Sequence, residues 1–219
     1  MKPRVSHHKT AALTLVEVVV ILSVLAILLA ILLPALTPHH GGQNINCSNN
    51  LKQVGLSFRI WEGDHNDKYP MQVSVTNGGT MELVAAGNVV TTFQVMSNEL
   101  STPILVLCPQ DIKRQPAATN FSSQLAGHIS YFVGLDAEDA KPQTILSGDR
   151  NIAGGMMKNG VLEITRNDPV GWSSELHGGI GNIAFADGSV QQTTSRKTSW
   201  NLRELIGQTG LATNRLAIP

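Results

Sequence analysis

The chain has 219 residues, of which 42% are apolar and only 15% charged, a composition that argues against intrinsic disorder. Sixteen Lys and Arg balance sixteen Asp and Glu, which argues against a broad electrostatic surface for nucleic acid. Two cysteines, Cys47 and Cys108, are too few for a cysteine-only zinc site or a disulfide-dense miniprotein, and the length suits one modest domain with an appendage.

Residues 1–12 carry Lys2, Arg4 and Lys9 and no acid. The run 15–36 is then apolar apart from Glu17, Ser23 and Pro34. As a helix rising about 1.5 Å per residue it spans roughly 33 Å, enough for a hydrocarbon core. Basic residues before the run and none immediately after it predict a single membrane pass with the N-terminus in the cytoplasm. A secretory signal peptide has an apolar region of about 7–15 residues before a small-x-small cleavage site, and this run is longer and ends poorly for one. A plain signal anchor accounts for the run but not for Glu17. A carboxylate there costs about 2.5–3.5 kcal/mol at mid-membrane, less near an end, and calls for a partner.

Gly41-Gly42 predicts a break. Over 46–62, Cys47, Leu51, Val54, Phe58 and Trp61 draw one apolar helical stripe, with Asn46 as N-cap and Gly63 as stop. Short strands are predicted at 70–76, 88–96, 103–107, 128–133, 143–147 and 160–165. Two β-prone runs over 182–193 flank Asp187-Gly188, the signal of a hairpin with a two-residue loop whose residues both need positive φ. Ser199 is placed to cap a final helix near 200–206. A long N-terminal helix followed by an antiparallel sheet is an α+β layout.

Leu13-Thr14-Leu15-Val16-Glu17, after a basic leader and before an aliphatic run, resembles the N-terminus of type IV prepilins and type II secretion pseudopilins. The resemblance implies cleavage by prepilin peptidase between Ala12 and Leu13 and methylation of the new amine. It implies pairing of Glu17 with the Leu13 amine of a neighbouring subunit, and a helix-loosening role for Pro34. The family prefers Gly before the cut and Phe after it, where this chain has Ala12 and Leu13. Further on, Cys47 to Leu56 is similar to the "C-x-N-N-L-K-Q" helix of a bacterial prepilin-like family named for a histidine, nine residues and Asp-Gly. His177 and Asp187-Gly188 have that spacing, and Cys108-Pro109 with Asp111 is similar to the family's "C-P-x-D" element.

The resemblance implies a pilin-like α+β fold. It has a leader at 1–12, an N-terminal helix at 13–62 with its transmembrane part at about 15–36, and a periplasmic or extracellular head at 63–219. It implies self-assembly with other pseudopilins on an inner-membrane platform into a secretion pseudopilus or pilus-like fibre. On the far side of the membrane, Cys47 and Cys108 either form a disulfide or remain two buried thiols.

For His177 and Asp187 the simplest role is structural: Asp187 as a turn residue, His177 bonded to the hairpin backbone. A metal or catalytic role is the alternative. Calcium in some pseudopilins admits Asp149, Asp168 and Asp187 as oxygen donors if they converge, although their spacing forms no EF-hand loop. Ser147, His177 and Asp149 make a nominal hydrolase set, but no nucleophile elbow or phosphate loop accompanies it, and no enzyme and no catalytic cofactor are expected. The rivals are a monomeric, membrane-anchored periplasmic binding module and an anchored hydrolase.

Overall fold

The computed structural model describes residues 14–35, 40–195 and 201–219; Ala12, Leu13 and Ser199 lie outside them. The chain divides into two compact units, Met1–His40 and Gly41–Pro219.

In the first unit α1 runs from Leu15 to Ala35 and contains Pro34. The window Leu15–Leu32 has a mean hydropathy of 3.1 and none of it is buried. It is long and apolar enough to cross a membrane, a criterion that a signal sequence also meets. Thr14 accepts the Glu17 amide on its hydroxyl at 3.3 Å, so Glu17 occupies the third helical position of a Thr-x-x-Glu start. A carboxylate there faces the positive end of the helix dipole.

The second unit opens with α2, His40–Gly63. The Gly41-Gly42 break and the Asn46 cap are therefore corrected: all three residues lie inside the helix. Cys47, Leu51, Val54, Phe58 and Trp61 are buried on one face, as their spacing requires. Three short helices follow: α3 (Met81–Ala85), α4 (Val89–Val95) and α5 (Ser97–Leu100). The strands expected at 70–76, 88–96 and 103–107 are helical instead. In 88–96 the β-branched residues favour a strand by type, but Val89, Thr92, Phe93 and Met96 are buried at helical spacing. Asn88 caps that helix through the Thr91 amide. Pro70 and Pro103 each begin a 3₁₀ turn, where a fixed φ and a missing N–H do no harm.

The remaining chain is mostly sheet: β1 (Tyr131–Gly134), β2 (Ile145–Asp149), β3 (Ile152–Ala153), β4 (Met156–Lys158), β5 (Val161–Ile164), β6 (Gly171–Trp172), β7 (Ile180–Phe185) and β8 (Val190–Thr194). After these come α6 (Leu202–Gln208) and β9 (Asn214–Ala217). Seven strands form one antiparallel sheet in the order β4-β5-β9-β1-β2-β7-β8, and β3 pairs with β6. The fold is α+β, with an N-terminal apolar helix and an antiparallel sheet.

Alternation along the strands builds two cores. Tyr131, Val133, Leu146 and Ala184 face α2 and α4. Their neighbours Phe132, Ile145, Ile183 and Phe185 face Trp172 and the α6 residues Leu202, Leu205 and Ile206. Both faces of the central strands β1 and β2 are covered, so every residue in them is buried, whereas the edge strand β4 is exposed. The cap of α6 is Asn201, which accepts the Glu204 amide at 2.9 Å.

The β7–β8 hairpin forms, with a different loop. The Gly188 amide donates to the Phe185 carbonyl at 2.9 Å, and Phe185 pairs with Ser189 across Ala186, Asp187 and Gly188. Gly188 alone takes a positive φ, 81°. This three-residue turn with a bulge replaces the expected two-residue one. Asp187 accepts the Ser189 amide at 2.8 Å, closing the turn from its side chain.

Gly181 in β7 packs against the Trp172 ring, and a Cβ there would fall inside that ring. The ring cannot yield, because its Nε1 donates to Thr193 at 2.8 Å. Gly181→Ala is expected to destabilise the head by about 1–3 kcal/mol. Gly207 in α6 has open space where a Cβ would go, so Gly207→Ala is expected to stabilise by about 0.4–1 kcal/mol. Denaturant titration of both variants checks the two signs.

Candidate functional site

Three segments distant in sequence meet in the head at one buried cluster. α2 brings Cys47 and the turn after Leu107 brings Cys108, and a disulfide joins them with Cα atoms 5.0 Å apart. Both are fully buried, and among the described residues no cysteine is free. Closing a separation of 61 residues is worth roughly 4 kcal/mol on the chain-entropy model. Asn50 Nδ2 donates to the Leu107 carbonyl at 3.1 Å, and the Tyr131 hydroxyl donates to the Cys47 carbonyl at 3.3 Å. Burial pushes the Tyr131 phenol well above its ordinary range, and the nearby charges of Asp149 and Asp111 add to the effect.

The third segment brings His177. Its backbone lies in the left-handed region at φ 52°, followed by Gly178 and Gly179 at 62° and 88°. Such a conformation is uncommon for a histidine and persists only where the surroundings hold it. Asn151 Nδ2 helps to hold it by donating to the carbonyls of Ser173 at 2.9 Å and Leu176 at 3.2 Å. The imidazole is fully buried. Its Nδ1 bonds Gln110 Oε1, and its Nε2 lies 3.4 Å from Cys108 Sγ and 3.4 Å from Asp149 Oδ2.

Asp149 is also fully buried. Its Oδ2 accepts the Asn182 amide at 2.7 Å and Asn182 Nδ2 at 2.9 Å, while its Oδ1 is buried with no hydrogen-bond partner. Next along β2, Arg150 grips Asp111 through two bonds of 2.7 and 2.8 Å, and Ser130 donates to the same carboxylate at 2.8 Å. Arg150 also bonds Glu175 at 2.9 Å, and Lys113 reaches Glu175 at 2.8 Å. The Arg150 and Lys113 hydrogen bonds hold the Glu175 carboxyl at about 2.

Several expectations change here. His177 points to Gln110, Cys108 and Asp149 rather than to the hairpin backbone. Asp149, Asp168 and Asp187 do not converge: among the described residues only Cys47, Cys108 and His177 bring their ligand atoms together. Asp168 accepts the Thr165 amide and hydroxyl at 2.6 and 2.9 Å, Asp187 closes its own turn, and Asp149 serves Asn182. The Ser147 hydroxyl donates to the Phe132 carbonyl at 2.7 Å and is not presented to His177 as a nucleophile. Gln110, Arg150, Asn151 and Asn182 are members of the cluster that sequence reasoning missed. Gln110 and Asn182 do lie inside the motifs, as the x of Cys-Pro-x-Asp and within the stretch from His177 to Gly188.

Comparison of the chain with protein-family models, with curated proteins and with solved structures gives no match in any of the three.

Two consequences are measurable. Asp111→Ala leaves Arg150 buried without its main partner and is expected to cost about 3–5 kcal/mol by denaturant titration. Glu175 has a folded pKa below its unfolded one, so its stabilising contribution is present above the unfolded value of about 4.3 and is lost as pH falls toward about 2. In Glu175→Gln the loss of stability across that acid range is expected to be shallower than in wild type.

Proposed function

We propose that this chain is a prepilin-like subunit of a type II secretion pseudopilus or type IV pilus-like fibre, acting by assembly rather than turnover. The observation that carries the proposal is the helical window Leu15–Leu32, of mean hydropathy 3.1 with none of it buried, whose one carboxylate, Glu17, lies in the first turn. So large an apolar surface requires lipid or protein around it. In this reading the helix holds the precursor in the inner membrane, with the head on the periplasmic side. Prepilin peptidase removes residues 1–12, and the assembly platform adds the mature chain to its neighbours.

A second feature supports assembly. On the face of α2 turned away from the sheet, Ile45, Leu56 and Ile60 are exposed. Asn49 and Lys52 share that face, which suits the contact of one copy with another better than a dry core. Loss of the leader removes three of the 16 basic residues and leaves 13 against 16 acidic ones, a side-chain charge of −3.

Thr14 and the helix dipole already offset part of the cost of Glu17 within one subunit, and this favours the rival reading of a monomeric anchored module. The two readings separate in Glu17→Ala. In a fibre the substitution strands the Leu13 amine of the neighbour, at about 3–5 kcal/mol for a broken buried pair. Membrane insertion, leader removal and head folding are expected to survive while the crosslinking ladder and sheared fibres disappear. N-terminal sequencing of the wild type is expected to begin at methylated Leu13. The same ladder in both proteins, or none in wild type with the assembly machinery present, moves the anchored module ahead.

A further inference from the structure

We propose that the cluster around His177 is a redox-gated zinc site: when the Cys47–Cys108 disulfide is reduced, both sulfurs, His177 Nε2 and the Asp149 carboxylate bind one Zn²⁺. The ligand atoms of Cys47, Cys108 and His177 all lie within 4.8 Å of one another. Asp149 stands beside that group as the fourth donor, its Oδ2 3.4 Å from His177 Nε2. Tetrahedral zinc with bonds of about 2.3 Å to sulfur and about 2.0–2.1 Å to nitrogen and oxygen puts sulfur and nitrogen about 3.6 Å apart, and nitrogen and oxygen about 3.4 Å apart. The corresponding distances here are both 3.4 Å, so two edges of the tetrahedron stand before any metal arrives. The two sulfurs must separate to about 3.8 Å, and the Asp149 carboxylate, which lies outside the group of three, must turn to within about 3.6 Å of both.

The surroundings are those of a metal ligand set. Gln110 Oε1 accepts from His177 Nδ1, which fixes the tautomer and leaves the Nε2 lone pair toward the sulfurs. Asn182 orients Asp149 through two donors on Oδ2. The other carboxylate oxygen is a buried acceptor with nothing to accept, an expensive arrangement that a cation would relieve. Thiolate and imidazole donors select zinc over calcium or magnesium.

The chemistry balances with a dithiol as reductant. The dithiol becomes its own disulfide, the Cys47–Cys108 bond takes up two electrons and two protons, and two thiols form. Zinc displaces both protons, and the bound site carries two thiolates, a carboxylate and a neutral imidazole around a 2+ ion, for a net charge of −1. The disulfide ties α2 to the Cys108 turn. Zinc ties both of these and adds the His177 loop and the end of β2, so the head is clamped in either redox state.

The test uses the full chain in detergent, oxidised or reduced with a dithiol that is then removed without air, and titrated with Co²⁺ and Zn²⁺. Reduced protein is expected to bind one Co²⁺ with thiolate-to-metal charge transfer and tetrahedral ligand-field bands, to lose them to one Zn²⁺, and to melt at a higher temperature with zinc. Oxidised protein is expected to show none of these. Gln110→Leu is expected to weaken zinc binding by about 10–100-fold, as loss of an outer-shell partner does. His177→Ala, checked for folding while oxidised, is expected to lose the tetrahedral spectrum when reduced. Reduced wild type without charge transfer, whether folded or not, overturns the proposal. So does a cobalt spectrum unchanged in His177→Ala, which would mark casual thiol binding.

Discussion

Buried charge around Cys108 has to be compensated inside the head, and that requirement organises much of its polar interior. The carboxylates of Asp111 and Asp149 are taken out of water within a short distance of one disulfide, beside the buried imidazole of His177. Each is answered by groups from another part of the chain: Asp111 by Arg150 and Ser130, Asp149 by Asn182, His177 by Gln110. Isolated charges in such an environment would cost several kcal/mol each. The compensation therefore locks together α2, the Cys108 turn, β2, β7 and the His177 loop. The disulfide adds a covalent limit to what the unfolded chain can do, while the polar network selects one arrangement of the folded one.

The apolar cores make the same demand on register. Phe132 belongs to one core and its neighbours Tyr131 and Val133 to the other. A slip of one residue would exchange the two sets and push bulky rings where small ones now sit. Alternation alone does not place Asp149: the β2–β7 pairing shifts register between Ile145 and Ser147, and past that irregularity Asp149 meets Asn182 and His177. Packing and polar chemistry thus specify one register, and β9 completes it by entering between β5 and β1.

Much of this was legible where a pattern is local. The α2 stripe, the β7–β8 hairpin and the apolar α1 follow from spacing and composition alone. The segment 88–96 was misread because Val and Thr favour strands by type, whereas burial at i, i+3, i+4 and i+7 decides for a helix. β9 is four residues, Asn214 to Ala217, with one exposed Arg, too short to stand out before its neighbours are known. The cluster was half legible. Cys47, Cys108 and His177 stood out in their motifs, but no spacing says that His177 turns to Cys108 rather than to its own hairpin. The partners Gln110, Asn182 and Arg150 are ordinary polar residues until the fold brings them to buried charges.

Glu17 and Asp149 pose the same physical question in the two units, and the answers differ in kind. Each is a carboxylate in apolar company. Asp149 is compensated within its own domain by Asn182 and has one buried oxygen without a hydrogen-bond partner, which the proposed zinc would offset. Glu17 sits on an exposed helix face, where the Thr14 cap and the helix dipole supply only part of what a charge in hydrocarbon needs. On the fibre reading proposed above, the remainder is met by an amine from outside the subunit, brought by packing against another helix of the same kind. The head satisfies its charges by folding, whereas the proposed fibre would satisfy that of the N-terminal helix by assembly.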